Sequence, residues 1–150
     1  MNKLLILLVP LALSTTANAD KTCARTGTPL IAETHKGLGI DVGDSGFEVY
    51  ASGAYHFYRH DPKAMASADT TGCITDQELA DVKAALAKAT WKVTTNEITC
   101  DAISIGHTEW TAGKHVYDAV MCGHESIDAT TQKAFNLVSA LETKYTPKSR

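Results

Sequence analysis

FEVYASGAYHFYRH at residues 47–60 and TDQELADVKAALAKA at residues 75–89 decide the fold of this chain. In the first stretch two runs of β-forming aromatic and branched residues flank Ser52-Gly53, the composition of a tight hairpin turn. A two-residue turn there predicts Tyr50 opposite Tyr55 and Val49 opposite His56. In the second, Thr75 and Glu78 have capping-box spacing, with Thr75 set to accept from a free backbone N–H and Glu78 to reach back. Leu79, Val82, Ala85, Leu86 and Ala89 then recur at helical spacing, predicting a helix from 76 to about 89. Asp76 and Glu78 suit the positive end of its dipole.

The remaining elements follow outward. Pro29 to His35 predicts a first strand. Four glycines between Gly37 and Gly46 predict a loop or turn. Asp61 to Thr71, polar and containing Pro62, predicts a surface loop. Ile98–Glu109 and Lys114–Met121 predict a second hairpin around Ala112-Gly113. Pairing 111 with 114 sets His107 opposite Asp118 and Trp110 opposite His115. Asp128 can cap a last helix whose apolar stripe is Ala134, Phe135, Val138, Leu141 and Tyr145, with Pro147 as its stop. The expected fold is α+β: two layers, an antiparallel sheet in the order β-ββ-α-ββ-α, with both helices packed on one face.

The N-terminus carries a different signal. Lys3, the apolar run Leu4–Leu13 and Ala17-Asn18-Ala19 form the charged start, apolar core and cleavage site of a secretory signal peptide at residues 1–19. The run is too short to span a bilayer, and Asp20-Lys21-Thr22 before Cys23 is no lipobox. Residues 20–150 then form a single domain, secreted or periplasmic, with no membrane span. Loss of Lys3 leaves 13 basic residues against 17 acidic ones, a net charge of −4. With no basic cluster anywhere, nucleic acid is excluded as a partner class.

Cys23, Cys73, Cys100 and Cys122 make an even set in an exported chain, the pattern of two disulfides. Sequence alone allows three pairings. The second hairpin brings Cys100 near Cys122, which favours that bond and leaves Cys23 with Cys73 by exclusion. A structural zinc site would need close Cys pairs, whereas the nearest two here stand 22 positions apart.

No catalytic, metal or cofactor site emerges from the motifs. Gly43-Asp44-Ser45-Gly46 looks like the serine motif of trypsin-like proteases, but it precedes any base and orienter in a chain too short for that fold. Asp41 and Asp44 lack the Glu that a calcium loop places at position twelve, where Ser52 stands. His56 and His60 share a strand face with Tyr58, some 13 Å apart by strand rise, too far for one ion (about 3.3 Å per residue). His107 with Asp118 suits a cross-strand pair. His35 and His124 flank loops. Trp91 is expected to cap the core below the first helix. Trp110, beside a hairpin tip, is a candidate partner-binding residue, as are Tyr50 and Tyr55 if the hairpin exposes one aromatic face.

From Phe47 to Leu141 a strand pair turns at a Gly, Ile74-Thr75-Asp76-Gln77-Glu78-Leu79 starts a helix ending near Trp91, and a hairpin and last helix complete the layout. That layout resembles a set of small secreted bacterial α+β proteins and, more distantly, the emfourin-type inhibitors of bacterial metalloproteases. The resemblance implies an exported binding module, inhibitor-like or engaged with an envelope protein. The competing class is a small secreted hydrolase or metal-dependent enzyme using scattered His and Asp.

Overall fold

The computed structural model describes residues 23–37, 43–63, 65–95, 106–120 and 125–146. The predicted signal segment, Cys100, Cys122, His124 and Pro147 lie outside the described residues, so the Cys100–Cys122 expectation does too.

Six strands form one antiparallel sheet: β1 (Ile31–Gly37), β2 (Asp44–Val49), β3 (Ala54–Asp61), β4 (Ala66–Cys73), β6 (Gly106–Ala112) and β7 (His115–Val120). Their spatial order is β4-β3-β2-β1-β6-β7. Two helices, α1 (Asp76–Lys88) and α2 (Ala129–Tyr145), complete the α+β fold. A two-stranded ribbon of β5 (Val93–Thr95) and β8 (Glu125–Ile127) brackets the chain between the helices. The expected architecture therefore holds, with four strands rather than three ahead of the first helix.

The extra strand corrects the loop expected over 61–71. Asp61 still belongs to β3, Pro62 and Lys63 begin a turn, and Ala66–Cys73 pairs with β3 along its whole length. Its sequence, ASADTTGC, carries no apolar alternation because β4 is an edge strand with one face in solvent. Small, polar edge residues also discourage pairing with another chain. Asp44, Ser45 and Gly46, expected in a turn, instead open β2. A Cβ on Gly43 would lie 1.9 Å from the His60 carbonyl oxygen, so glycine there permits close strand approach.

Both hairpin registers differ from expectation. Gly53 N–H bonds the Tyr50 carbonyl and Tyr50 N–H bonds the Ala54 carbonyl, giving a three-residue loop closed by Gly53 at φ 83°. Val49 therefore pairs with Tyr55, and Glu48 with His56. A slip of one residue swaps faces. Val49, Tyr55 and Phe57 turn inward together, while Glu48 and Tyr50 turn to the opposite side. The second hairpin turns at Gly113-Lys114, with Gly113 at φ 58°, so Ala112 pairs with His115 and Trp110 with Tyr117. That shift is by two and leaves the faces unchanged.

The core fills the space between sheet and helices. Ile31, Phe47, Val49, Phe57, Val82, Phe135 and Val138 are all essentially inaccessible. Phe135 of α2 is its centre: Trp110 stacks on it at 4.2 Å, Tyr117 lies at 5.8 Å, and Trp91 meets its edge at 5.6 Å. Aromatic pairs of this kind add about 0.5–1.5 kcal/mol each beyond area burial. Trp91 thus caps the core as expected, and His115 stacks on its outer side at 4.9 Å.

Side-chain clamps fix the helices. Thr75 and Glu78 form the expected capping box. Glu78 also accepts from Lys144 Nζ at 2.6 Å and Tyr145 Oη at 2.7 Å, tying the start of α1 to the end of α2. Asp128 caps α2 through the N–H groups of Thr130 and Thr131 and accepts from Lys92 N–H. These bonds, the Thr130 hydroxyl foremost, hold its carboxyl well below the usual range. A Cys23–Cys73 disulfide ties the arm before β1 to the end of β4, as elimination suggested. Ser52 Oγ adds a bond to the Ala24 carbonyl.

Candidate functional site

Strand alternation divides the sheet's polar side chains between two faces. One face meets the helices. On the other, the register sets Glu48, His56 and Thr71 in one row and Thr34, Tyr58, Asp69, Glu109 and Asp118 in the next. A third row holds Asp44, His60, Ser67, Lys36 and His107. Among the described residues, five carboxylates thus share this face with one lysine, and Lys36 is already bonded to Glu109 at 2.9 Å. His107 reaches Asp118 diagonally at 3.9 Å, since its direct partner is Val120.

His56 forms the tightest cluster on this face. Its Nδ1 lies 2.9 Å from Glu48 Oε2 and its Nε2 lies 3.2 Å from Asp69 Oδ2. Tyr50 Oη donates to the same Glu48 oxygen at 2.5 Å. Burial, and then that carboxylate, pushes the Tyr50 hydroxyl up to about 12. These contacts span three strands, so the cluster cross-links β2, β3 and β4. At the end of the same strands, Asp44, Arg59, His60, Asp61 and Lys63 line an open recess of about 310 Å³.

A second cluster lies on the helix side, where β1 passes under α2. Glu33 and His35, two apart on one strand, point the same way. Glu33 is only 4 % exposed. Ser139 Oγ of α2 donates to both its oxygens, at 3.1 and 2.9 Å. His35 Nδ1 lies 3.0 Å from Thr108 Oγ1, fixing the ring. His35 Nε2 then lies 3.4 Å from Glu33 Oε1 and 3.6 Å from Glu142 Oε2. One ligand atom from each of Glu33, His35 and Glu142 falls within 4.8 Å of the other two. Burial raises the Glu33 carboxyl to about 7 against the pull of Ser139 and His35. The Glu142 carboxylate raises His35, with burial opposing and Glu33 reinforcing. Two carboxylates and one imidazole nitrogen thus crowd one spot where a proton or a cation is needed.

The candidate partner-binding aromatics are all turned to internal packing. Trp110 is 5 % exposed against Phe135. Tyr55, 8 % exposed, lies between Phe47 at 5.6 Å and Tyr145 at 4.8 Å. Tyr50 is 5 % exposed and held by Glu48. The tip beside Trp110 is exposed, but its ring points down into the core, because strand parity sets residue 110 on the helix side. Ser45 of the Gly-Asp-Ser-Gly string does face His35 across β1 and β2. Both nitrogens of that ring are directed elsewhere, to Thr108 and to the two glutamates.

The sequence reading missed the Glu33–His35–Glu142 cluster. Glu33-x-His35 on a strand was a visible hint, since residues two apart share a face, but Glu142 joins it only through the docking of α2. Comparison with protein-family models, with curated proteins and with solved structures gave no match, so the geometry alone bears on function.

Proposed function

We propose that this chain is an exported binding module that takes a basic protein partner on the sheet face opposite its helices. The carrying observation is the acidic excess of that face: among the described residues it carries Asp44, Glu48, Asp69, Glu109 and Asp118 against Lys36, with His56 between Glu48 and Asp69. Side chains of Asp69 and Asp118 are 72 % and 50 % exposed, so their field reaches solvent. Opposed charge of this kind steers encounter and sets specificity more than it sets raw affinity. The described disulfide, and the lack among the described residues of a helix long and apolar enough to cross a membrane, are compatible with an extracytoplasmic setting. The distant resemblance of the sequence layout to emfourin-type inhibitors makes a protease with a basic surface the first partner class to try. The hydrolase reading has less support, because His35 is committed away from Ser45.

The test uses an oligolysine probe and an oligoglutamate control. The protein should bind oligolysine alone, and binding should weaken as salt shortens the screening length, about 10 Å at 0.1 M. Neutralising the face with Asp69→Asn, Glu109→Gln and Asp118→Asn together should abolish binding, whereas Asp81→Asn on the exposed side of α1 should not. Equal binding by the triple variant and the parent would overturn the proposal.

A further inference from the structure

We propose that Glu33, His35 and Glu142 form a binding site for a divalent first-row metal ion, zinc above others, clamped between β1 and α2. The distances favour an ion over a hydrogen bond. Charge-assisted N–H···O bonds run about 2.7–2.9 Å, while Nε2 of His35 stands 3.4 and 3.6 Å from its two carboxylate oxygens. A tetrahedral ion with ligands at about 2.0–2.1 Å separates those ligands by roughly 3.3–3.4 Å. The observed spacings lie close to that edge length, and the three atoms stay within 4.8 Å of one another.

Supporting contacts match those of a metal ligand set. When His35 Nδ1 donates to Thr108 Oγ1, Nε2 presents its lone pair to the carboxylates. Such a partner on the far ring nitrogen is what orients a ligating histidine. Ser139 fixes the Glu33 carboxylate in the same way from the α2 side. Glu33 is buried, Glu142 is 17 % exposed and His35 is 40 % exposed at the side chain, so the site opens on its histidine side. Two carboxylates balance a 2+ charge, and three protein ligands leave one tetrahedral position for water. Calcium wants six to eight oxygens at longer distances, which this set does not supply.

Isothermal titration of the metal-free protein with zinc chloride tests the site, with cobalt(II) absorption as a second readout. The expected result is one zinc per chain and the visible bands of a tetrahedral cobalt site. Glu142→Gln and His35→Ala should each weaken zinc binding by at least about tenfold, the lower range for losing even a supporting contact. Ser139→Ala should weaken it less. Glu142 is part-exposed and Glu142→Gln is isosteric, so this variant is expected to keep the fold, checked by circular dichroism. The double variant His60→Ala, His107→Ala should bind as the parent does. No stoichiometric zinc in the parent would overturn the proposal, as would unchanged affinity in both Glu142→Gln and His35→Ala. Loss of zinc only in the His60/His107 variant would also overturn it.

Discussion

Glu78→Gln isolates the charge that ties the two helices together. The amide keeps an oxygen for Thr75 N–H and Tyr145 Oη but removes the attraction to Lys144. Burial alone would push the Glu78 carboxyl up. The Lys144 ammonium, the Thr75 backbone and the Tyr145 hydroxyl outweigh it and hold the group down to about 2, against an ordinary 4.5. Each unit of that difference corresponds to about 1.4 kcal/mol of preference for the ionised form in the folded state. The full difference would be about 3 kcal/mol. The Lys144 side chain is 56 % exposed, so solvent screening reduces the expected loss to about 1–2 kcal/mol. The sign follows from linkage: a depressed carboxyl stabilises above its unfolded value, and that stabilisation disappears as pH falls from about 4.5 to about 2. Urea denaturation at pH 7 should therefore find Glu78→Gln less stable by that amount, and the gap should narrow below about pH 4.5 and nearly close by about pH 2. A gap that persists unchanged at pH 2 would refute the electrostatic reasoning and assign the loss to geometry.

Other perturbations probe the core and the staple. Trp110→Ala should cost about 3–5 kcal/mol in chemical denaturation, the range for deleting a buried aromatic; a loss under 1 kcal/mol would mean that the ring is not core. Breaking the Cys23–Cys73 bond by Cys73→Ser with Cys23→Ser opens a loop spanning 50 positions. Chain entropy limits the loss to about 4 kcal/mol, and an unchanged melting temperature would remove the disulfide from the stability account. Gly43→Ala should destabilise by about 1–3 kcal/mol, because its Cβ would collide with a backbone oxygen rather than a movable side chain; parental stability would contradict the strand approach described for β2 and β3.

What could be seen in the sequence was what local chemistry decides. Thr75-x-x-Glu78 and Asp128 act as caps wherever they stand, and both helices begin there. The α2 stripe buries Ala134, Phe135, Val138 and Leu141 as spaced. Hairpin registers were less legible, because Ser52-Gly53 fits a two-residue or a three-residue loop equally well. A type I′ two-residue turn needs positive φ at both Ser52 and Gly53, and only Gly53 has it, so the three-residue loop closes and Glu48 pairs with His56. β4 was invisible, since a solvent-facing edge strand needs no apolar alternation. The clusters were harder still. His56 meets Glu48 and Asp69 through the pairing of three strands, and His35 meets Glu142 through helix docking. Neither pairing follows from spacing along the chain. Trp110 is open from sequence alone, since nearness to a turn permits exposure or burial; strand parity buries the ring.

The proposed binding face, opposite the helices, is tested most directly by following backbone amide resonances while oligolysine is added. The account predicts progressive shifts confined to β1, β2, β3, β4, β6 and β7, largest around Asp69, Glu109 and Asp118, and their reversal by salt. Shifts centred on α1 and α2, or none at all, would contradict it.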